Sequence, residues 1–332
     1  MTKITAAITA VGKYLPEYRL TNKILETMVE TNDEWIVSRT GIKERRILKE
    51  EGKGTSFMAT KAVEDLFSRS TSPINPKDID LVIVATATRD MQAASTASFV
   101  ASNIGATNAF AFDLDSACSS FLFGMSVVAS YIESGRYKKV LLIGADKNSS
   151  MIDYSDRATC IIFGDGAGAV LFEPNTEGLG LQDEYLRTDG SGREFLQVAK
   201  GGSANPFKKG DVFGAEGCFV RQEGRTVFKN AVFNMADVCE KVLERNNLTK
   251  ENISWLAAHQ ANKRIIDATA NRVGLEESKV MTNIENYGNT TSATLPLLIA
   301  DYESQLKKGD IIIFAAFGGG FSWGAIYFKW AY

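Results

Sequence analysis

Apolar and polar positions alternate along Ala109-Phe110-Ala111-Phe112-Asp113-Leu114-Asp115, a spacing that predicts a strand entering a core. From Ser119 the period changes. Phe121, Leu122, Met125, Val128, Ala129 and Ile132 recur at three- and four-residue steps, with Gly135 as the helix stop. Cys118 falls at this strand-to-helix junction. The unpaired amides of a helix start favour a thiolate over a thiol, which makes Cys118 a candidate nucleophile. The plainer alternative is a buried structural thiol.

The remaining pattern reads as alternating strands and helices. Residues 1–20 predict a strand and a loop, with Thr21-Asn22 capping a helix through Met28 and a second helix running from Asn32 to Gly41. Residues 55–69 form an amphipathic helix with Phe57, Met58, Ala62, Val63, Leu66 and Phe67 inward. Leu81-Val82-Ile83-Val84 and Val140-Leu141-Leu142-Ile143 are continuous apolar runs, expected of strands covered on both faces. Thr96 to Gly105 predicts a helix between them. Ile161-Ile162-Phe163 reads as a strand leading into Gly164-Asp165-Gly166-Ala167-Gly168, with another strand at Ala169-Val170-Leu171-Phe172. A dinucleotide fingerprint would open a helix there, so close strand packing is the reading for these glycines. Trp35 and Arg39, four apart, share one helical face. They suit a nucleotide base and its phosphates, or simply a surface cation–π contact.

The second half repeats the first. Asn252-Ile253-Ser254-Trp255-Leu256-Ala257-Ala258-His259 matches Asp78-Ile79-Asp80-Leu81-Val82-Ile83-Val84-Ala85 at an offset of 174 residues. Lys308-Gly309-Asp310-Ile311-Ile312-Ile313-Phe314 matches the strand after Lys138 at an offset of about 171, which sets Asn289 against Cys118. Two degenerate α/β halves follow, residues 1–175 with the candidate nucleophile and residues 176–332 with His259 and Asn289.

Bulk properties narrow the classes. A chain of 332 residues with 45% hydrophobic and 23% charged residues belongs with globular proteins long enough for two cores. A net charge of −3 gives no global field for nucleic acid, leaving only local basic patches for an acidic partner. Met1-Thr2-Lys3-Ile4-Thr5 starts no signal segment, and no apolar run reaches the roughly 18 residues of a membrane span. Cys118, Cys160, Cys218 and Cys239 lack CxxC spacing, which fits reduced thiols in the cytoplasm and no metal.

His259 is the single histidine. It ends a predicted buried strand, and the repeat brings His259, Asn289 and Cys118 to corresponding sheet edges, where sites in open α/β sheets form. A thiol, an imidazole and an amide donor there can support nucleophilic catalysis. A papain-type protease would use such a triplet, but its local cysteine signature is absent. Phe317-Gly318-Gly319-Gly320-Phe321-Ser322-Trp323-Gly324 adds backbone amides free to approach a ligand, one of them as an oxyanion donor.

Taken together, these segments resemble the β-ketoacyl-acyl-carrier-protein synthase III family, nearly end to end. The resemblance rests on residues 33–42 (Asp-Glu-Trp-Ile-Val-Ser-Arg-Thr-Gly-Ile), Ala117-Cys118, Asp156-Arg157, Ile162 to Gly168, His259-Gln260-Ala261-Asn262, Gly288-Asn289-Thr290 and Phe317 to Gly324. It implies a thiolase-like α/β fold of two pseudo-repeated halves with central sheets packed in layers, usually a homodimer. It also implies an acyltransferase of fatty acid synthesis that condenses an acyl-CoA primer with malonyl-acyl-carrier protein. Cys118 would carry the acyl group, with the amides of Cys118 and Gly319 as the oxyanion hole. His259 and Asn289 would stabilise the enolate left by decarboxylation. CoA enters as a substrate thioester, and no cofactor or metal is implied. By the same resemblance Trp35 and Arg157 would sandwich adenine, Arg39 would meet phosphates, and Thr31, Gly224, Phe228 and Asn262 would line the base and pantetheine tunnel. Lys229, Arg264 and Arg272 would face the acidic carrier protein.

Two departures stand out. Ala93-Ala94 replace a Phe-Pro pair whose ring reaches the partner subunit's acyl pocket, so Ala93, with Phe317 as the other acyl-pocket residue, is expected to admit primers longer than acetyl. Asp115 and Ser120 flank Cys118 where relatives carry small or apolar residues, and an ionised Asp115 facing the site would oppose a thiolate. Relatives with the same triad and a different acceptor, such as a hydroxymethylglutaryl-CoA synthase, a long-chain acyl condensing enzyme or a quinolone-type synthase, or a non-catalytic scaffold, are the competing readings. Retention of all three chemical groups speaks against a scaffold.

Overall fold

The computed structural model describes residues 3–212, 214 and 217–332, so Met1 and Thr2 of the amino-terminal reading lie outside the described residues. In chain order β1 (Thr5–Tyr14) is followed by β2 (Tyr18–Thr21), α1 (Asn22–Leu25), α2 (Asp33–Thr40) and β3 (Glu44–Ile47), with β2 and β3 paired antiparallel. Next come α3 (Thr55–Arg69), β4 (Leu81–Ala85), α4 (Thr96–Asn103), β5 (Phe110–Leu114), α5 (Ser120–Glu133), β6 (Val140–Asp146), α6 (Arg157–Cys160) and β7 (Gly166–Asn175). The second half runs β8 (Gly180–Thr188), β9 (Leu196–Val198), β10 (Val220–Gln222), α7 (Gly224–Arg245) and β11 (Trp255–Ala258). It ends with α8 (Lys263–Val273), α9 (Ile284–Tyr287), α10 (Thr294–Tyr302), β12 (Ile311–Gly318) and β13 (Ser322–Lys329).

The two large sheets have one plan. The first is ordered β1-β7-β6-β4-β5 and the second β8-β13-β12-β11, with the fifth place marked by a parallel bridge from Leu256 to Val280. In each, the inner strands are parallel (β4 with β5 and β6; β11 with β12), and β7 or β13 runs antiparallel to both neighbours.

A period of two is hidden inside the apolar runs, and it dictates the layering. Leu81, Ile83 and Ala85 of β4 face one cluster, while Val82 and Val84 face another. On β12, Ile312, Phe314 and Ala316 face that same first cluster, and Ile313, Ala315 and Phe317 face a third. The shared cluster contains Phe121, Leu122, Met125 and Val128 of α5 and Leu295, Leu298 and Ile299 of α10. These two helices are therefore sandwiched between the sheets. The apolar faces of α3 and α4 cover the first sheet outside, and α7 and α8 cover the second. Their buried faces are correspondingly apolar, continuous from Leu295 to Ala300 in α10, while α5 leaves Ser130 and Glu133 exposed near its C-terminal end.

Several predicted elements change on folding. The first helix stops at Leu25, with Met28 exposed, although Thr21 caps it as expected. Residues 161–163 form no strand; Phe163 makes one isolated parallel bridge, to Asn289. The glycines after it lie within β7, and Gly168 is where α10 crosses the sheet. A Cβ there would stand 2.7 Å from the Cβ of Pro296. Ala117 (φ 49) and Thr291 (φ 56) each open a 3-10 turn ahead of a central helix, so they are the matching positions of the repeat. Cys118 thus corresponds to Ser292, not to Asn289. The shift arises because the second half is three residues shorter from the start of its central helix to the next strand (Thr294 to Ile311 against Ser120 to Val140), so the offset of 171 applies only beyond α10.

Candidate active site

Cys118 sits in the turn between β5 and α5, 5% exposed. The turn is tied by serines. The Ser120 hydroxyl accepts from the Ser116 amide (2.7 Å) and donates to the Ala117 carbonyl (2.6 Å), which is the structural use of the departure at position 120. Ser119 donates to the Ser322 carbonyl (2.9 Å) and Ser322 to the Ser116 carbonyl (3.0 Å), holding the glycine-rich turn against the nucleophile. Gly318 makes that approach possible, because a Cβ there would lie 2.9 Å from the amides of Cys118 and Ser119.

His259 follows β11, and its amide continues the ladder to the Ala315 carbonyl at 2.8 Å. The ring is buried, Nδ1 lies 2.7 Å from Thr294 Oγ, and Nε2 has no hydrogen-bond partner. Asn289 is held by its backbone to Ile162 (2.9 Å) and Gly164 (3.0 Å), the work of the segment read as a strand. Its Oδ1 accepts from the Thr291 amide (2.8 Å). Cys118, His259 and Asn289 border one cavity of about 150 Å³ with Phe163, Leu196, Phe228 and Phe317.

Burial governs the electrostatics. It pushes the Cys118 thiol up to about 12, aided by the Asp146 carboxylate and opposed by Asn289 and by the amide of Cys118 itself. Desolvation therefore works against the thiolate that the amides of one turn favour. Asp115 adds a small push in the same direction. It is half exposed, accepts from the Ala117 amide (3.0 Å) and pairs with Arg89 at 3.6 Å, whereas Asp113 turns away to cap α4 through the amides of Thr96 and Ala97. Burial alone lowers His259 to about 3, so its ring is neutral.

A second cavity of about 250 Å³ meets Cys118 from the other side, between Ala87, Asp115, Ala117, Met151, Val220 and Gly319, with Phe163 and Leu196 forming the partition. Gly319 and Cys118 border this cavity together. Phe317 lies on the first cavity, and Ala93 is exposed and lines neither in its own chain.

Gly224, Phe228 and Asn262 lie along the first cavity. Asn262 also donates to the Arg39 carbonyl (2.9 Å), which connects the cavity to α2. There Trp35 is flanked by Arg157 at 5.1 Å and Arg39 at 5.7 Å, and the Thr31 hydroxyl is buried without a partner. Arg157 donates to the Glu30 carbonyl (3.0 Å). Arg264 lies 4.8 Å over Phe228, and Lys229 beside it is exposed. Arg272 is a full eight residues further along α8, roughly 12 Å away. It is committed to Glu240 (2.6 Å) and to the exposed Phe233 ring (5.3 Å). The structure therefore separates it from the other two cations. Thr294 and the buried Asp146 escaped the sequence reading, since neither carries a pattern of its own, whereas Gly318 belongs to the glycine run already singled out.

Comparison with known proteins bears directly on this geometry. Residues 112–190 match the family model described as 3-oxoacyl-[acyl-carrier-protein (ACP)] synthase III, and residues 243–330 match the one for its C-terminal part. The chain is 55% identical over 332 residues to beta-ketoacyl-[acyl-carrier-protein] synthase III 1 of Bacteroides thetaiotaomicron, covering 100% of this chain and 98% of that protein. It is 50% identical over 329 residues to the synthase III of Chlorobaculum tepidum, covering 98% and 99%. The crystal structure of 3-oxoacyl-[acyl-carrier-protein] synthase III from Aquifex aeolicus superposes with a TM-score of 0.89 at 38% identity, covering 98% of this chain and 100% of that one.

Proposed function

The chain belongs to the 3-oxoacyl-[acyl-carrier-protein] synthase III family, and from that premise we propose how its own residues carry the reaction. It is a condensing acyltransferase that joins an acyl-CoA to malonyl-acyl-carrier protein by decarboxylative Claisen condensation through an acyl-cysteine. Residues 1–175 supply the nucleophile and residues 176–332 the two donors. The convergence of Cys118, His259 and Asn289 on one cavity carries this assignment.

In the first stage the Cys118 sulfur forms a bond to the thioester carbon while the bond to the CoA sulfur breaks, and the thiol proton ends on CoA. The amides of Cys118 and Gly319 hold the oxyanion. In the second stage the malonyl C–CO₂ bond breaks and its electron pair enters the thioester as an enolate. His259 and Asn289 donate to the enolate oxygen, its carbon attacks the acyl group, and Cys118 leaves as a thiolate that takes a proton from solvent to restore the thiol. An Asn amide donates at any pH, and a neutral imidazole donates through one nitrogen. Each donor is worth about 3–4 kcal/mol of barrier.

CoA approaches along Asn262, Gly224 and Phe228, with its adenine on Trp35 and Arg157, Thr31 beneath and Arg39 at the phosphates. Arg264 and Lys229 face the acidic carrier protein, and Arg272 contributes less because Glu240 neutralises it. The second cavity, larger than an acetyl group requires, supports primers longer than acetyl, with Ala93 of a partner subunit at its mouth. A homodimer and a cytoplasmic location complete the reading; among the described residues no helix is long and apolar enough to cross a membrane, and no group of three or more His, Cys, Asp or Glu is placed to hold a metal.

Intact-mass spectrometry after mixing with acetyl-, isobutyryl- and octanoyl-CoA tests the first stage. One acyl adduct is expected on the wild type and none on Cys118→Ala. Turnover of the loaded enzyme with malonyl-acyl-carrier protein, against malonyl-CoA, tests the second. Absence of an adduct, or preference for malonyl-CoA, would sink the assignment.

A further inference from the structure

The His259 ring has one proton and two nitrogens, and the reaction assigned above needs that proton on the nitrogen facing the cavity. Nothing on the cavity side decides this, because Nε2 has no partner there. The decision falls to the other nitrogen. Nδ1 meets a single polar atom, the buried hydroxyl of Thr294, at 2.7 Å. That hydroxyl has one hydrogen to give. Its two possible acceptors are Nδ1 and the Thr291 carbonyl, and the latter is at 3.2 Å, beyond the usual range of about 2.5–3.0 Å for O–H···O bonds.

We propose that Thr294 is a positioning residue that donates its hydroxyl hydrogen to Nδ1 and so fixes His259 with its proton on Nε2, aimed into the cavity. The inference rests on the decarboxylative reading of the site. When the C–CO₂ bond breaks and its electrons move onto the thioester oxygen, the Nε2–H bond is already directed at that oxygen and gives up no proton. The opposite tautomer would present a lone pair to a developing negative charge. Fixing the proton beforehand spares the site any reorganisation at the moment of reaction.

The second-half helix start supplies the geometry. Thr294 is the first residue of α10, one turn after Asn289, so the segment that pins the Asn289 amide through Thr291 also orients the imidazole. Both donors are thus set from one stretch, residues 289–294. Burial keeps the ring neutral, which makes the choice of tautomer consequential at every working pH.

Because His259 is the only histidine, ¹⁵N-histidine labelling of the full-length protein yields one pair of ring nitrogens to assign. The expected result is a protonated Nε2 and an unprotonated Nδ1 in the wild type and in Thr294→Ser, with that preference lost in Thr294→Val. In parallel, Thr294→Val should load acyl-CoA onto Cys118 at the wild-type rate yet decarboxylate malonyl-acyl-carrier protein about 10- to 100-fold more slowly, with Thr294→Ser restoring the rate. A wild-type ring protonated on Nδ1 overturns the proposal, and so does Thr294→Val decarboxylating normally. A wild type that takes up no acyl group counts instead against the reaction, while the nitrogen shifts still locate the proton. Those shifts are read on the wild type, so a poorly folded valine variant leaves the question decidable.

Discussion

Asp146 at the end of β6 accepts two hydrogen bonds from Ser292, one from its amide at 2.9 Å and one from its hydroxyl at 2.5 Å. Ser292 is the residue that the pseudo-repeat sets against Cys118, so a carboxylate of the first half clamps the second half's counterpart of the nucleophile. The other oxygen of Asp146 accepts from Thr86, from Thr88 and from the amides of Ala87 and Thr88, tying down the loop after β4. Burial raises this carboxyl to about 6 in spite of those bonds. Six donors on one buried carboxylate make a rigid joint beneath the site.

Asp146 and His259 oppose each other in the pH dependence of stability. The folded carboxyl titrates at about 6, above its unfolded value, so its contribution is full below the unfolded pKa and is lost as pH rises through 6. The folded imidazole titrates at about 3, below its unfolded 6.5, so its contribution is full above 6.5 and is lost as pH falls. Between roughly pH 4 and 6 the two slopes cancel. Replacing His259 by Asn removes one of them. Urea unfolding at pH 6, 5 and 4 should then show His259→Asn gaining on the wild type by up to about 1.4 kcal/mol per pH unit as pH falls. A constant difference between the proteins would mean that the buried ring is already charged.

Cys118 offers a sharper test of the resting state. With the thiol pushed up to about 12, the thiolate fraction grows tenfold per pH unit across the whole accessible range. Alkylation by iodoacetamide, followed on the Cys118 peptide, should therefore rise log-linearly from pH 6 to 9.5 with no plateau. A plateau near neutrality would show a thiolate preformed in the free enzyme, and the turn's amides would then outweigh desolvation.

The order of elements was readable because covered strands and central helices leave long apolar signatures, as in Leu81 to Val84 and Phe121 to Ile132. Cys118, His259 and Asn289 were readable too, because each is a chemically distinctive residue at the end of a patterned segment. What stayed hidden is long-range. The Thr294 hydroxyl gains its role only through a contact with a residue 35 positions away. Asp146 looks like any polar residue closing a strand, and the resting thiol follows from burial, which no local pattern reports. The mismatch of Cys118 with Asn289 had a different source, since the second half is three residues shorter from the start of its central helix to the next strand and a single offset cannot serve both sides of α10.

Gly168 is predicted to be intolerant of any side chain. The Cβ of an alanine would come within 2.8 Å of the Pro296 backbone carbon, in a place where neither β7 nor α10 has room to give. Overpacking of this kind costs about 1–3 kcal/mol, so Gly168→Ala should lower the urea midpoint without changing the slope. Pro296 is two residues beyond Thr294, and a displaced α10 would carry that hydroxyl away from His259. Decarboxylation should therefore fall more than acyl loading. Equal losses in both would indicate that the helix start does not move with the crossing.

β5 pairs with β4 on one side, and no strand of the described residues pairs with its other edge. Phe110 at its start is 41% exposed, although it packs against Phe112, Tyr131 and Tyr137 at centroid distances of 5.2–6.3 Å. An apolar edge of this kind, without lysine, proline or a bulge, is a template for another strand. A second copy related by a two-fold axis would pair β5 with β5 and extend both sheets into one, setting the loop of Ala93 near the neighbouring cavity. Sedimentation velocity should give twice the 36.2 kDa of the chain for the wild type. The double variant Phe110→Lys with Ala111→Lys should sediment as a monomer, because like charges would face each other across the pairing. A variant that stays dimeric would move the interface elsewhere, and with it the expectation that Ala93 reaches a partner's acyl cavity.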